Sequence, residues 1–159
     1  MTQDLITTGT VVAAVAAGLV AGVMLAFSTS VMPALRRRPA AEGVAAMQTM
    51  NAAILNPLFG ILFGGSALLC AALAVTAPFT TDEAHAVWRG IGAALYVAGT
   101  FGLTMGVNVP MNEALDEADP AGGATAELWR RYLRRWTAWN NVRTVAGTAA
   151  SALLIVSLS

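Results

Sequence analysis

Between Asp4 and Arg36 the chain carries no charged residue at all. A helix needs about 20 residues to cross the hydrocarbon core of a bilayer, and this run exceeds that length. Three more long runs follow, Leu55 to Ala77, Ala86 to Val107 and Thr137 to Leu158, with Arg89 and Arg143 as their only charges. Charged residues make up 11% of the sequence, where a soluble domain has about a quarter. The pattern predicts an integral membrane protein. Its expected fold class is an all-α, four-transmembrane-helix bundle with short interfacial helices in the cytoplasmic connectors. One domain covers residues 1–159, with spans at about 5–27, 55–77, 86–107 and 137–158.

Punctuation between the runs supports these limits. Pro33 and then Arg36, Arg37 and Arg38 end the first. Pro39 to Met50 reads as a short amphipathic helix lying near the interface or leading into the second run. Asn56-Pro57 opens the second run, and PFTTDEAH, with Asp82 and Glu83, connects it to the third. Pro110 is expected to break or bend the end of the third helix. Glu113 to Glu127, interrupted by DPAGG, reads as a surface loop flanked by short helical pieces. GLVAG, GILFG and GLTMG carry the small-xxx-small spacing of close helix contacts, within one chain or in a homo-oligomer. MTQD offers no positive region of a cleavable signal. All nine basic residues are arginines, and most lie in the first and third connectors. The positive-inside rule makes those connectors cytoplasmic and turns both termini outward. Arginine-only basicity with abundant Ala and Gly points to a bacterial inner (plasma) membrane.

The stretch WRRYLRRWTAWNNVR enters the last run. As a helix it sets Trp129, Tyr132, Trp136, Trp139 and Arg143 on one stripe, at steps of three and four. It also carries Asn140, Asn141 and Arg143 into the membrane, where unpartnered polar groups are costly. The same end of the bundle receives Gln48, Asn51 and Asn56 ahead of the second run, and Asn108 and Asn112 after the third. Ser28, Thr29 and Ser30 arrive there from the first. A shared polar cavity accounts for the gathering. The plainer account is structural: amides join helices, aromatics form an interfacial belt, and Arg143 snorkels to headgroups or pairs with Glu113 or Asp116.

Several function classes are excluded. A single histidine, His85, and a single cysteine, Cys70, argue against haem, copper and zinc sites. Without CxxC there is no thiol-redox motif, and Cys70 reads as a small core residue. No span holds a carboxylate, against a proton-coupled exporter. No basic surface suggests nucleic acid. No metal or cofactor is expected. The expected partners are membrane lipids and an apolar small-molecule or lipid ligand.

FSTSVMPAL after the first run, MQTMNAAILNPLF, NVPMNEAL and WTAWNNVRT together resemble the anthrone-oxygenase-like family of small four-helix membrane proteins, many of unknown function. The resemblance covers nearly the whole chain, in order. It implies oxidation of an anthrone or other apolar phenolic substrate by O2, without a cofactor, in a polar cavity at the cytoplasmic end. On that basis Arg143, Asn108, Asn112, Asn140 and Glu113 are the expected catalytic residues, with Arg143 holding negative charge and Glu113 the candidate base. Gln48, Asn51, Asn56, Trp136, Trp139 and Tyr132 are the expected substrate-binding residues. A second reading is a non-catalytic membrane protein that binds a lipid or a quinone-like molecule.

Overall fold

A computed structural model describes residues 2–79 and 83–159; Asp82 of the expected second connector lies outside them. The described chain forms five helical rods: α1 (Gln3–Arg36), α2 (Ala40–Ile54), α3 (Pro57–Phe79), α4 (His85–Asp116) and α5 (Thr125–Val156). Three of them, α1, α3 and α4, are long and apolar enough to cross a membrane. The expected four-transmembrane-helix bundle is thereby corrected to a five-helix, all-α bundle with three candidate spans. α5 is long enough, but Asn140, Asn141, Arg143 and its threonines lower its apolar character. The stretch expected as an interfacial helix is a rod of the bundle. α2 buries Gly43, Val44, Met47 and Asn51, residues spaced for one helical face.

Prolines do not end the rods where the sequence suggested. α1 continues through Pro33 and α4 through Pro110. Each proline is preceded by a π-helical turn, Phe27–Val31 and Thr104–Asn108. Proline removes a hydrogen-bond donor and clashes with the carbonyl four residues back. Those carbonyls belong to Thr29 and Gly106, inside the π turns. The wider spacing relieves the clash, so the helix bends its register rather than breaking. Further π segments occupy Ile61–Gly65 and Tyr96–Gly102.

α5 runs antiparallel to α1 and to α4. Ser151 Oγ donates to the Ala14 carbonyl at 2.8 Å, and Asn140 Nδ2 to the Met24 carbonyl at 2.6 Å. α3 is antiparallel to α4, joined by Ser66 Oγ and Tyr96 Oη at 2.6 Å. One core, at the end holding the termini, is small-residue packing around Ala13, Ala17, Cys70, Tyr96 and Ala150. The other, at the arginine-rich end, stacks Trp129, Tyr132 and Trp136 over Met32, Val44 and Leu115. Gln3, His85, Arg89 and Ser157 line a small cleft of about 210 Å³, so both ends of the chain meet at one end of the bundle.

The glycine pairs divide sharply. A Cβ at Gly92 would stand 3.0 Å from Leu153 Cβ and 3.1 Å from the Ala150 carbonyl oxygen, and one at Gly99 2.7 Å from Ala146 Cβ. These two bring α4 onto α5. At Gly22, Gly60, Gly64 and Gly106 an added Cβ meets nothing within 4 Å. The expected contact faces in GILFG and GLTMG are therefore open at those glycines.

Candidate functional site

Where the two cores adjoin, all five rods leave a cavity of about 670 Å³. α1 lines it with Met24 and Phe27, α2 with Met47 and Asn51, and α3 with Phe59, Gly60 and Phe63. α4 adds Thr104, Met105, Asn112, Glu113 and Asp116, and α5 adds Trp136, Asn140 and Arg143. Each candidate span contributes residues from a π segment: Phe27, Phe63, and Thr104 with Met105. Such turns break the regular ladder and recur at functional sites.

α5 places its polar residues by simple periodicity. Its buried face runs Trp129, Tyr132, Trp136, Asn140, Arg143, Gly147. After Trp136 the inward position is four residues on, at Asn140, not three. Trp139 accordingly sits on the outer face, 36% exposed, away from the cavity wall. The expected stripe is corrected there: Asn140 takes the place given to Trp139.

Arg143 is 5% exposed. Its Nη1 donates to Thr104 Oγ1 at 2.9 Å and its Nη2 to Asn140 Oδ1 at 2.6 Å, while Nε is buried without a partner. The guanidinium carbon stands 5.5 Å from the centroid of the Trp136 ring. Among the described residues no carboxylate forms an ion pair with it. Its burial removes snorkelling to headgroups as an account of the residue, and neither Glu113 nor Asp116 is its counter-ion. What remains is a cation facing an apolar cavity with neutral partners only.

The amides around it do different work. Asn140 Nδ2 donates to the Met24 carbonyl and, at 2.7 Å, to Ser28 Oγ, so it ties α1 to the guanidinium. Asn112 Oδ1 accepts from Tyr132 Oη at 2.8 Å and from Trp136 Nε1 at 2.7 Å, which fixes both rings. Burial pushes the Tyr132 phenol well above its ordinary pKa, so it stays an O–H donor. Asn51 Nδ2 donates to Asp116 Oδ1 at 3.4 Å on the cavity wall. Glu113 and Asp116 are exposed, at the end of α4.

Three of the sequence candidates bond to backbone groups. Asn108 is 1% exposed and off the wall; its Nδ2 donates to the Trp136 carbonyl at 3.4 Å. Asn56 lines the cavity but caps α3, accepting from the Phe59 amide at 3.0 Å. Gln48 lies off the wall and donates to the Leu115 and Ala118 carbonyls at 2.8 and 3.0 Å, holding the orphan end of α4. Gln48→Ala is expected to cost about 1 kcal/mol of stability and to leave ligand binding unchanged. Thermal midpoints and binding measured on one preparation check this; a loss of binding without a loss of stability is the contrary result.

Thr104, which orients Arg143, escaped the sequence reading. It stands one helical turn before Asn108, so stepping back four residues from that amide reaches it.

The profile of a family described as anthrone oxygenase matches residues 57–153, more than half of the chain. No curated protein and no solved structure matches it.

Proposed function

This chain belongs to the anthrone oxygenase family, and from that premise we propose that its cavity binds an apolar phenolic or anthrone-type molecule as its anion and oxidises it with O2. The observation that carries the reading is Arg143, a buried cation on the cavity wall with no carboxylate partner. An unpaired buried charge is costly, and an anionic ligand offsets the cost on arrival. An anthrone suits the site because loss of a proton from its central methylene carbon gives a flat, aromatic enolate. Trp136 and Phe27, with centroids 5.8 Å apart, offer that ring system apolar faces.

The reaction balances without a further reductant. Glu113 takes the methylene proton. The enolate passes an electron to O2, and the two radicals join in a new C–O bond. The peroxide anion takes back the proton from Glu113, and the resulting hydroperoxide loses water and leaves the quinone carbonyl, so one O2 enters and one water leaves. Arg143 holds the negative charge on the enolate oxygen through its fixed N–H donors, which favours the enolate that reacts with O2. Arg143 and Glu113 both line the cavity, the first for the ketone oxygen and the second for the methylene carbon on the opposite side of the central ring.

By the positive-inside rule the arginine-rich end of the bundle, and the cavity with it, lies at the cytoplasmic face of a bacterial inner membrane. The test is oxygen consumption by purified protein in lipid nanodiscs with an anthrone. The expected result is uptake above the spontaneous rate, with one anthraquinone formed per O2. Uptake no faster than in empty nanodiscs overturns the oxygenase.

The second reading, a non-catalytic lipid- or quinone-binding protein, uses the same cavity. Mass spectrometry after mild extraction separates the two, since a co-purified phospholipid or quinone favours binding and an oxidised polyketide favours catalysis.

A further inference from the structure

The cavity's outer wall bears on which substrates fit. A bare three-ring ketone occupies only part of about 670 Å³, a volume in the range of drug-sized ligands. The remaining space lies between the start of α3 and the π turn of α4. Its walls there are Leu55, Phe59 and Gly60 on one side and Met105 and Val109 on the other. Leu55 is 85% exposed and Met105 50%. α3 and α4 are candidate spans, so this side of the cavity faces hydrocarbon rather than water. Gly60 leaves the slot unfilled, since an added Cβ would touch nothing within 4 Å. An independent observation points to a ligand at the inner end: the nearly fully buried guanidinium of Arg143 on the cavity wall, with no carboxylate partner among the described residues.

We infer that the cavity takes an acidic phenol or enol bearing an aliphatic chain, its head at Arg143 and its chain passing between α3 and α4 into the bilayer. The inference rests on the cavity being the substrate site, as proposed above. It narrows the substrate to a membrane-borne amphiphile. The head is chosen by charge. The chain is chosen by a slot with no hydrogen-bonding group that it would leave unpaired. Such a substrate need not leave the membrane to reach the site.

Equilibrium binding by tryptophan quenching, in phosphatidylcholine nanodiscs, tests this without turnover. The probes are a naphthol, the same naphthol carrying a dodecyl chain, and dodecanoic acid. Affinities are expressed per mole fraction in the lipid, because a chain raises apparent affinity merely by partitioning. Gly60→Leu narrows the slot from α3 and Val109→Phe from α4. Each is expected to weaken the chain-bearing naphthol about tenfold, the effect of overfilling a packed site, while the plain naphthol stays within about twofold, the spread of ordinary surface substitutions. Gly64→Leu, off the wall, changes neither. Circular dichroism shows whether each variant is folded. Equal weakening of both naphthols in folded variants, or weakening of neither, overturns the slot. Dodecanoic acid binding more tightly than either naphthol overturns the aromatic head. Binding of the chain-bearing naphthol as expected, with no oxygen consumed on any anthrone, supports the inference and removes only the oxygenase.

Discussion

Arg143→Met is expected to lower turnover by about 10²–10³-fold, the effect of removing one donor to a developing oxyanion, while leaving the protein as stable as before or more so. Two terms set the stability. Met fills similar volume and removes a buried guanidinium, whose desolvation costs several kcal/mol. Against that, Asn140 Oδ1 and Thr104 Oγ1 lose the donors they hold at 2.6 and 2.9 Å, at about 1–3 kcal/mol for each unsatisfied acceptor. The sum lies near zero. A residue that merely joined helices would behave otherwise, since breaking a partnered buried charge destabilises by about 3–5 kcal/mol. Arg143→Lys keeps the charge but cannot engage both oxygens with a planar fork, and should fall between wild type and Met. The measurements are oxygen uptake and thermal midpoint on the same nanodisc preparations. Parallel loss of both in Arg143→Met would falsify the assignment and return Arg143 to the scaffold.

Gly92→Leu is expected to unfold the bundle or to shift its midpoint beyond recovery, while Gly106→Leu leaves it intact. The two glycines lie on one helix. At Gly92 the nearest atoms to an added Cβ include the Ala150 carbonyl oxygen at 3.1 Å and the Leu154 amide nitrogen at 3.2 Å. Backbone of a packed helix cannot rotate aside, so α4 and α5 must part. Gly92→Ala already costs about 1–3 kcal/mol by the same overpacking. At Gly106 nothing lies within 4 Å, and a side chain there enters open space. Gly106→Ala should stay within about 0.5 kcal/mol of wild type. Midpoints in a single detergent compare the set directly. Equal damage at both positions contradicts the packing of α4 on α5 described above.

The contrast between those glycines shows why a motif in the sequence is not a contact. GLTMG has the spacing of a helix–helix face, yet Gly106 borders open space. Gly92 and Gly99 are seven residues apart, two turns on one face, and they meet α5. The same limit governs the polar residues. Asn51, Asn112, Asn140 and Arg143 line one cavity, as residues costly to leave in lipid must find polar company. Gln48, off the wall, and Asn56, on it, bond helix ends, which are local demands of the backbone. An amide serves either need equally well, so its identity does not say which.

The order of residues alone determined that this chain is helical and apolar enough for a membrane, because long uncharged runs in hydrocarbon leave the backbone no other way to satisfy its hydrogen bonds. It also determined which polar groups had to find partners. Only the tertiary structure decided that five helices, not four, form the bundle, that prolines are absorbed by π turns, and that Asn140 rather than Trp139 turns inward. The last of those outcomes depends on the rotation of a helix about its own axis. That rotation is set by what the other four helices press against it, and no single stretch of sequence contains it.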